Sequence, residues 1–342
     1  MSNRSVFLLI SAAASLVIII AAVAIGSVAV SPIETVSILV SRVTGIQTGP
    51  EIPGYRIAIV ADLRLPRVLL AFIAGAALSV SGAVMQSVLK NPLASSFTLG
   101  VSSGASLGAG SVILFGLSGA LHGMLTVPAA GFAASVLTVF LLLRFSRAID
   151  PSLRNNTIIL SGMILSLFLN AILTLFSVLS TDGLKNILSW QLGSFALRGM
   201  TPVYLLLPLT AAGTLAIFRY RRELDILTFG GDDAAALGVP VHKTKNMLVI
   251  LASVLTGCTI AFTGVIGFVD LAIPHIVRRL WGPSHRTLIP FSFLFGGSFM
   301  VLADLFCRTV YPPAELPIGA VTALMGAPVF AHIYLSSRRS GA

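Results

Sequence analysis

The chain has 342 residues, 56% of them hydrophobic and only 10% charged. A soluble domain carries about 25% charged residues, so this chain cannot cover itself with polar surface and must count lipid as part of its solvent. Its net charge of +10 does not point to nucleic acid, because the basic residues lie in short loops between apolar runs, the arrangement that orients a membrane protein.

Spanning the hydrocarbon layer takes roughly 20 apolar residues. In chain order, segments 6–30, 66–88, 96–116, 124–143, 156–179, 198–218, 246–264, 287–306 and 316–335 qualify. The first outruns the apolar core of a secretory signal, which is about 7–15 residues, and reads as an uncleaved membrane helix. A shorter run, 267–281, starts just after Gly264 and reads as a half-length helix joined to its predecessor by a glycine turn. The fold class is therefore all-α: a polytopic membrane protein of about ten transmembrane helices, forming one domain over residues 1–342.

Charge sets the orientation. With the N-terminus in the cytoplasm, Arg4, Lys90, Arg144, Arg147, Arg154, Arg219, Arg221, Arg222, Lys243, Lys245, Arg278, Arg279, Arg286, Arg338 and Arg339 are cytoplasmic, 15 of the 22 basic residues. That bias places both termini inside.

A pattern occurs twice. Residues 74–82 and 256–264 are related by an offset of 182, which carries Gly75 onto Gly257, Gly82 onto Gly264 and Pro92 onto Pro274. The first copy lies on a segment running inward and the second on one running outward, which makes two inverted five-helix halves. Paired Gly/Pro-interrupted segments in two halves mark internally repeated transporters. Taken singly, each glycine serves close helix packing, as does the Gly100, Gly104, Gly108 stripe.

Chemistry-bearing groups are few. No phosphate-binding Gly-x-x-x-x-Gly-Lys-Ser/Thr loop is present, so ATP hydrolysis is not expected of this chain. No metal or catalytic cluster is read, and Cys258 and Cys307 are taken as buried packing residues. Asp270 and Asp304 are the main acids near the membrane segments, and Asp304 has an i,i+4 partner in Arg308. Arg64 and Arg67 flank Pro66 at the outer start of segment 66–88. A helix N-terminus repels cations, so they seek an anion: a lipid phosphate, Asp62, or an acidic patch on an external protein. Loop 180–195 reads as an interfacial turn anchored by Trp190. Segment 221–245 is the longest inner loop. Asp232 and Asp233 suit a helix start, Ala234–Leu237 its body and Gly238 its end, a short element suited to docking a cytoplasmic partner.

Leu63–Arg67, Ser81–Gln86 with Asn91-Pro92, Leu99–Gly104, Ala236–Val239, Gly264–Phe268, Ile273–His275, Gly282–Arg286, Leu302–Asp304, Ala314–Gly319 and Gly326–Pro328 occur in one order along the chain. In these stretches the chain resembles the permease subunits of ATP-binding-cassette importers for ferric siderophores, haem and cobalamin. The resemblance implies a homodimer that binds two cytoplasmic ATPase subunits, which hold ATP and Mg²⁺. It also implies an extracytoplasmic substrate-binding protein and residence in a bacterial or archaeal inner membrane. It assigns Arg64, Arg67 and Arg308 to docking of the binding protein, and Asp232, Asp233, Ala234, Ala235, Ala236, Leu237 and Gly238 to coupling with the ATPase. Segments 156–179 and 316–335 would border the translocation path, with Ser161, Ser166 and Asn170 as polar candidates. Asp270 departs from the family pattern and is expected at the membrane surface. The expected cargo is a metal chelate, a ferric siderophore before haem or cobalamin. The alternative is an ion-coupled secondary transporter, which the scarcity of acids in the membrane disfavours.

Overall fold

A computed structural model of the chain describes residues 3–26, 28–45, 52–116, 125–179, 181–196 and 198–339. Among them there is no strand. Five long-chain crossings make the first half: α1 (Asn3–Ala24), α4 (Leu65–Val88), α5 (Val101–Leu114), α6 (Thr126–Ile149) and α7 (Asn155–Val178). Five make the second: α9 (Thr201–Arg219), α12 (Val241–Thr263), α13 (Val269–Trp281), α14 (His285–Thr309) and α15 (Ile318–Arg339). Their lengths run 22, 24, 14, 24 and 24 residues, then 19, 23, 13, 25 and 22. The third member is short in both halves, and all ten expected segments, the half-length helix among them, are present.

Packing repeats as well. Helix α4 lies on α14 of the other half, and α12 lies on α6. Both pairs are antiparallel: Gly75 meets Gly296 where Ser87 meets His285, and Gly257 meets Ser135 where Ala261 meets Gly131. The centre of the bundle is α4, whose apolar window, counted with the helical turns before it, is 89% buried, against 17% for α1. Helix α1 shows Phe7, Leu9 and Val17 outward, and α7 shows Leu160, Leu167 and Phe168. Such faces suit lipid or another helix, not water.

The residue offset of 182 does not join equivalent places. Gly82 is inside α4, whereas Gly264 ends α12 with φ +77. Pro92 follows α4 in a turn, whereas Pro274 lies inside α13. The halves correspond by helix order and length, while each glycine answers its own local contact. A methyl on Gly82 would overlap the Asp270 carbonyl, and one on Gly264 would overlap that of Trp190.

Segment 31–65 holds helices that hydropathy passes over. Helix α2 (Pro32–Thr44) opens with a capping box, in which Ser31 Oγ accepts from Glu34 N and the Glu34 carboxylate accepts from Ser31 N. It closes on Gly45 at φ +74, a left-handed stop. Helix α3 (Gly54–Ala58) leads through a π-helical stretch, Ile59–Arg64, directly into α4. Pro66 therefore sits inside a continuous helix and not in its first turn. The wider π turn absorbs the hydrogen bond that proline cannot donate.

Loop 180–195 is also helical: α8 (Thr181–Gln191). Trp190 is no interfacial anchor. It is buried with Ala105, Ala109 and Ile260, and its carbonyl touches the glycine turn at Gly264. The last elements are α10 (Arg221–Leu227) and α11 (Gly231–Ala236), which organise the connection 221–245.

Candidate functional site

Two ends of the bundle carry the polar groups. At one end, Arg67 on α4 makes two-pronged contact with Asp304 on α14, with Nε and Nη2 at 2.8–3.0 Å from its oxygens. It also reaches Glu315 at 2.6 and 3.0 Å. Bidentate arginine–carboxylate pairs are the strong kind, and this one ties the first half to the second. Arg308 is 3.5 Å from the same Asp304, so the i,i+4 pairing expected of them is present but secondary to Arg67. Arg308 donates instead to the carbonyls of Ala22 and Ile25. Arg64 is buried and donates to Val23, Ala24 and Val28 carbonyls at 3.3, 2.7 and 2.5 Å. Gly26 makes that possible, since any side chain there would overlap the guanidinium.

The carbonyls at the end of α1 lack helical partners, and carry partial negative charge. Arg64 and Arg308 thus satisfy the anion requirement internally, with backbone oxygens in place of the lipid phosphate, Asp62 or external acid weighed from sequence. Asp62 pairs with Arg42 at 3.5 Å on the surface. Of the three docking candidates, only Arg67 adjoins an exposed partner, Glu315, whose side chain is 41% accessible.

At the opposite end, α11 stands out from the bundle. Only Ala234 of its six residues is buried, and Phe229 and Leu237 beside it expose large apolar side chains. Beneath them Leu224, Leu227, Ala234 and Val239 join the core formed by Val84, Val88 and Leu89. The element is a knob anchored on its inner side, with an apolar tip. Asp232 and Asp233 fall in its first turn, and Gly238 follows its end at φ +82, donating to Ala235 O while Val239 donates to Ala234 O. Nearby, Asp150 accepts from the backbone and side chains of Ser152 and Arg154 and from Thr157. The Ser152 and Arg154 contacts hold its carboxyl well below the usual range.

The three path candidates on α7 part company. Ser161 is buried, with no hydrogen-bond partner for its hydroxyl. Ser166 bonds the Gly162 carbonyl at 2.8 Å and packs near Gly100. Asn170 alone lies on the open face. Helical spacing separates them: 161 and 170 point to different sides of one helix.

Asp270 is a clear correction. It is buried in the second position of α13, not at the membrane surface. Its carboxylate oxygens make no hydrogen bond, and the Ser95 hydroxyl is its polar neighbour. Gln86 donates to the carbonyls of Asp270 and Leu271 at 3.2 Å, and Gly82 lets α4 approach that closely. At the middle of the same helix, Ser81 Oγ lies 2.8 Å from the Ala252 carbonyl and 2.7 Å from Thr256 Oγ1. That polar contact joins α4 to α12 across the two halves. Cys258 and Cys307 are both buried thiols, and no group of His, Cys, Asp and Glu among the described residues could hold a metal.

Residues 9–337 match the FecCD transport family. The chain belongs to that family. It is 48% identical over 283 residues to the ABC transporter permease protein YvrB of Bacillus subtilis, covering 83% of this chain and 80% of that protein. It is 38% identical over 282 residues to the vitamin B12 import permease BtuC of Citrobacter koseri, covering 81% of this chain and 83% of that one. Among solved structures, a metal-chelate type ABC transporter in an inward-facing conformation superposes with a TM-score of 0.84 at 28% identity, covering 96% of this chain and 99% of that chain. The family match spans both ends described above, the arginine–carboxylate cluster and the α10–α11 knob.

Proposed function

We propose that the chain is the membrane-spanning permease subunit of an ATP-driven importer that moves a metal chelate into the cytoplasm across the inner membrane. What carries the reading is the end-to-end correspondence, over 96% of the chain, with a metal-chelate type ABC transporter. Two copies pair along a membrane-buried face, with α7 and its exposed apolar residues facing the path or partner. Two ATPase subunits seat on the α11 knobs, and ATP with Mg²⁺ is held there and not in this chain. The knob end is cytoplasmic, in keeping with the charge bias, so the Arg67 cluster is external and receives the substrate-binding protein.

Docking at that outer end engages Arg67 first. Arg64 and Arg308 are held by the α1 carbonyls, and they serve docking by fixing the surface on which an acidic partner lands. The cargo is of the siderophore or cobalamin class. A ferric siderophore is the first reading, and the cobalamin permeases among the relatives support a second. Proteoliposomes containing the permease, its ATPase and its binding protein decide the matter. Uptake of a ferric siderophore or of cyanocobalamin that requires ATP inside supports the importer. Uptake driven by a proton or sodium gradient without ATP supports the secondary-transporter alternative and overturns the importer reading.

A further inference from the structure

The Gly282–Arg286 stretch has no part in the outer cluster or the knob, yet its histidine makes some of the most directional contacts in the chain. His285 is the first residue of α14 and is 1% exposed. Its Nδ1 is 2.6 Å from Asp225 Oδ1 on α10, and its Nε2 is 2.7 Å from Ser87 Oγ in the last turn of α4. The same Asp225 oxygen accepts the His285 backbone N–H at 2.8 Å, and Ser284 Oγ is 3.4 Å from the other oxygen. Ser284, at the N-cap position, makes no side-chain cap of its own. The acid that caps α14 thus comes from the loop element, where a helix N-terminus favours it. Burial pushes the Asp225 carboxyl up, and the bonds from His285 outweigh it, leaving the carboxyl below its ordinary range.

A Ser–His–Asp set invites a hydrolytic reading, and the hydrogen-bond count rejects it. A serine hydroxyl has one proton and two lone pairs. Ser87 donates that proton to the Ala83 carbonyl at 2.9 Å and accepts from Arg278 Nη2 at 3.3 Å. The Ser87 proton is thus directed at a backbone carbonyl, and Ser87 is not activated for attack. Both ring nitrogens of His285 are hydrogen-bonded, one to each neighbouring element.

The result is a single side chain bonded at once to the loop element and to the bundle. Asp225 stands four residues before the exposed Phe229 of the knob. Ser87 stands at the end of α4, where Arg278 of α13 also holds the Ala83 carbonyl and Gln86. Among the described residues, α10 is otherwise tied to the bundle by apolar contacts and by Arg221 Nη1, which donates to the Phe218 carbonyl of the adjoining α9 at 3.2 Å. Apolar contacts are non-directional, whereas short hydrogen bonds to a charged carboxylate resist both sliding and rotation.

We propose that the Asp225–His285–Ser87 chain of hydrogen bonds is the linkage that transmits movement of the α10–α11 knob to the inner ends of α4 and α14. It makes His285 a positioning residue for transport. The proposal rests on the ATP-driven reading above. It predicts that the turn after α4, which carries the exposed Leu93, responds to the nucleotide state of the ATPase only while the linkage is intact.

The test uses the assembled complex of permease and ATPase in nanodiscs, with the substitution Leu93→Cys as reporter. Both native cysteines are buried, so maleimide labelling reads the reporter. The rate is measured without nucleotide and with ATP plus vanadate. The linkage predicts a severalfold ATP-dependent change in the L93C parent. It predicts loss of that change in His285→Asn, which keeps a donor at the Nδ1 position and cannot reach Ser87, while ATP hydrolysis by the complex continues. Ser87→Ala deletes only the acceptor on α4, and gives the same loss without disturbing the α14 cap should H285N fail to assemble. A merely structural role would lower hydrolysis and labelling response together, and that outcome, like an unchanged response in S87A, overturns the linkage alone. A parent that ignores ATP overturns the ATP-driven reading and the linkage with it.

Discussion

Gly82 shows what one residue can hold. Its α-carbon faces the Asp270 carbonyl so closely that a methyl overlaps it, and the approach lets Gln86 reach two carbonyls of α13. Overpacking such a contact costs about 1–3 kcal/mol. Gly82→Ala should therefore lower the unfolding temperature of the purified permease, while Gly267→Ala, at a position with open space around it, should leave it unchanged. Glu315 gives a second test. It competes for Arg67 with any acid arriving from outside, and it is the more exposed of that arginine's two partners. Glu315→Gln should tighten binding of the substrate-binding protein in a titration against nanodisc-held permease. Arg67→Ala should weaken it. Sequence pointed to Arg64, Arg67 and Arg308 through their misfit with a helix N-terminus, but it could not see the carbonyls of Val23 and Ala24, which lie 40 or more residues away in the chain. Nor did it show Asp270 as buried, because an acid near a segment end reads the same whether the end is wet or packed.

At the scale of elements, the knob is a short helix that survives because its inner side is anchored. Six residues cannot sustain a helix alone. Leu224, Leu227 and Ala234 fix it to the core, and Phe229 and Leu237 remain outside. Substituting both Phe229 and Leu237 with serine should abolish co-purification of the ATPase without changing the permease's own thermal stability. The turn at Asp150 makes a separate prediction. A carboxyl held below its usual range stabilises the native loop at neutral pH, and that contribution begins to fade as pH falls below about 4, the ordinary carboxylate value. Amide exchange in residues 151–158 should accelerate as pH is lowered below that value, once corrected for intrinsic rates, and Asp150→Asn should be exchange-prone already at neutral pH. The long apolar helices and the half-length α13 were legible from length and hydropathy alone. Helices α2, α8 and α10 were not, since they are short and amphipathic, and packing rather than run length stabilises them.

For the whole molecule, the inverted halves have a mechanical consequence. Helices α4 and α12 cross at Ser81, Ala252 and Thr256, and α4 lies on α14 as α12 lies on α6. The Arg67–Asp304 pair clasps α4 to α14 at one end and His285 clasps them at the other, so these two helices are tied at both ends. The amino-acid sequence by itself determined that the chain lives in lipid, how many times it crosses and that its halves are related, because each of those follows from local composition and from counting along the chain. The tertiary structure alone decided where the arginines spend their charge, that Asp270 is enclosed, which half each glycine contacts and that His285 joins three elements. Those are distances between residues far apart in sequence, and in an apolar bundle the partner of a polar group is set by how helices cross, which no local pattern encodes.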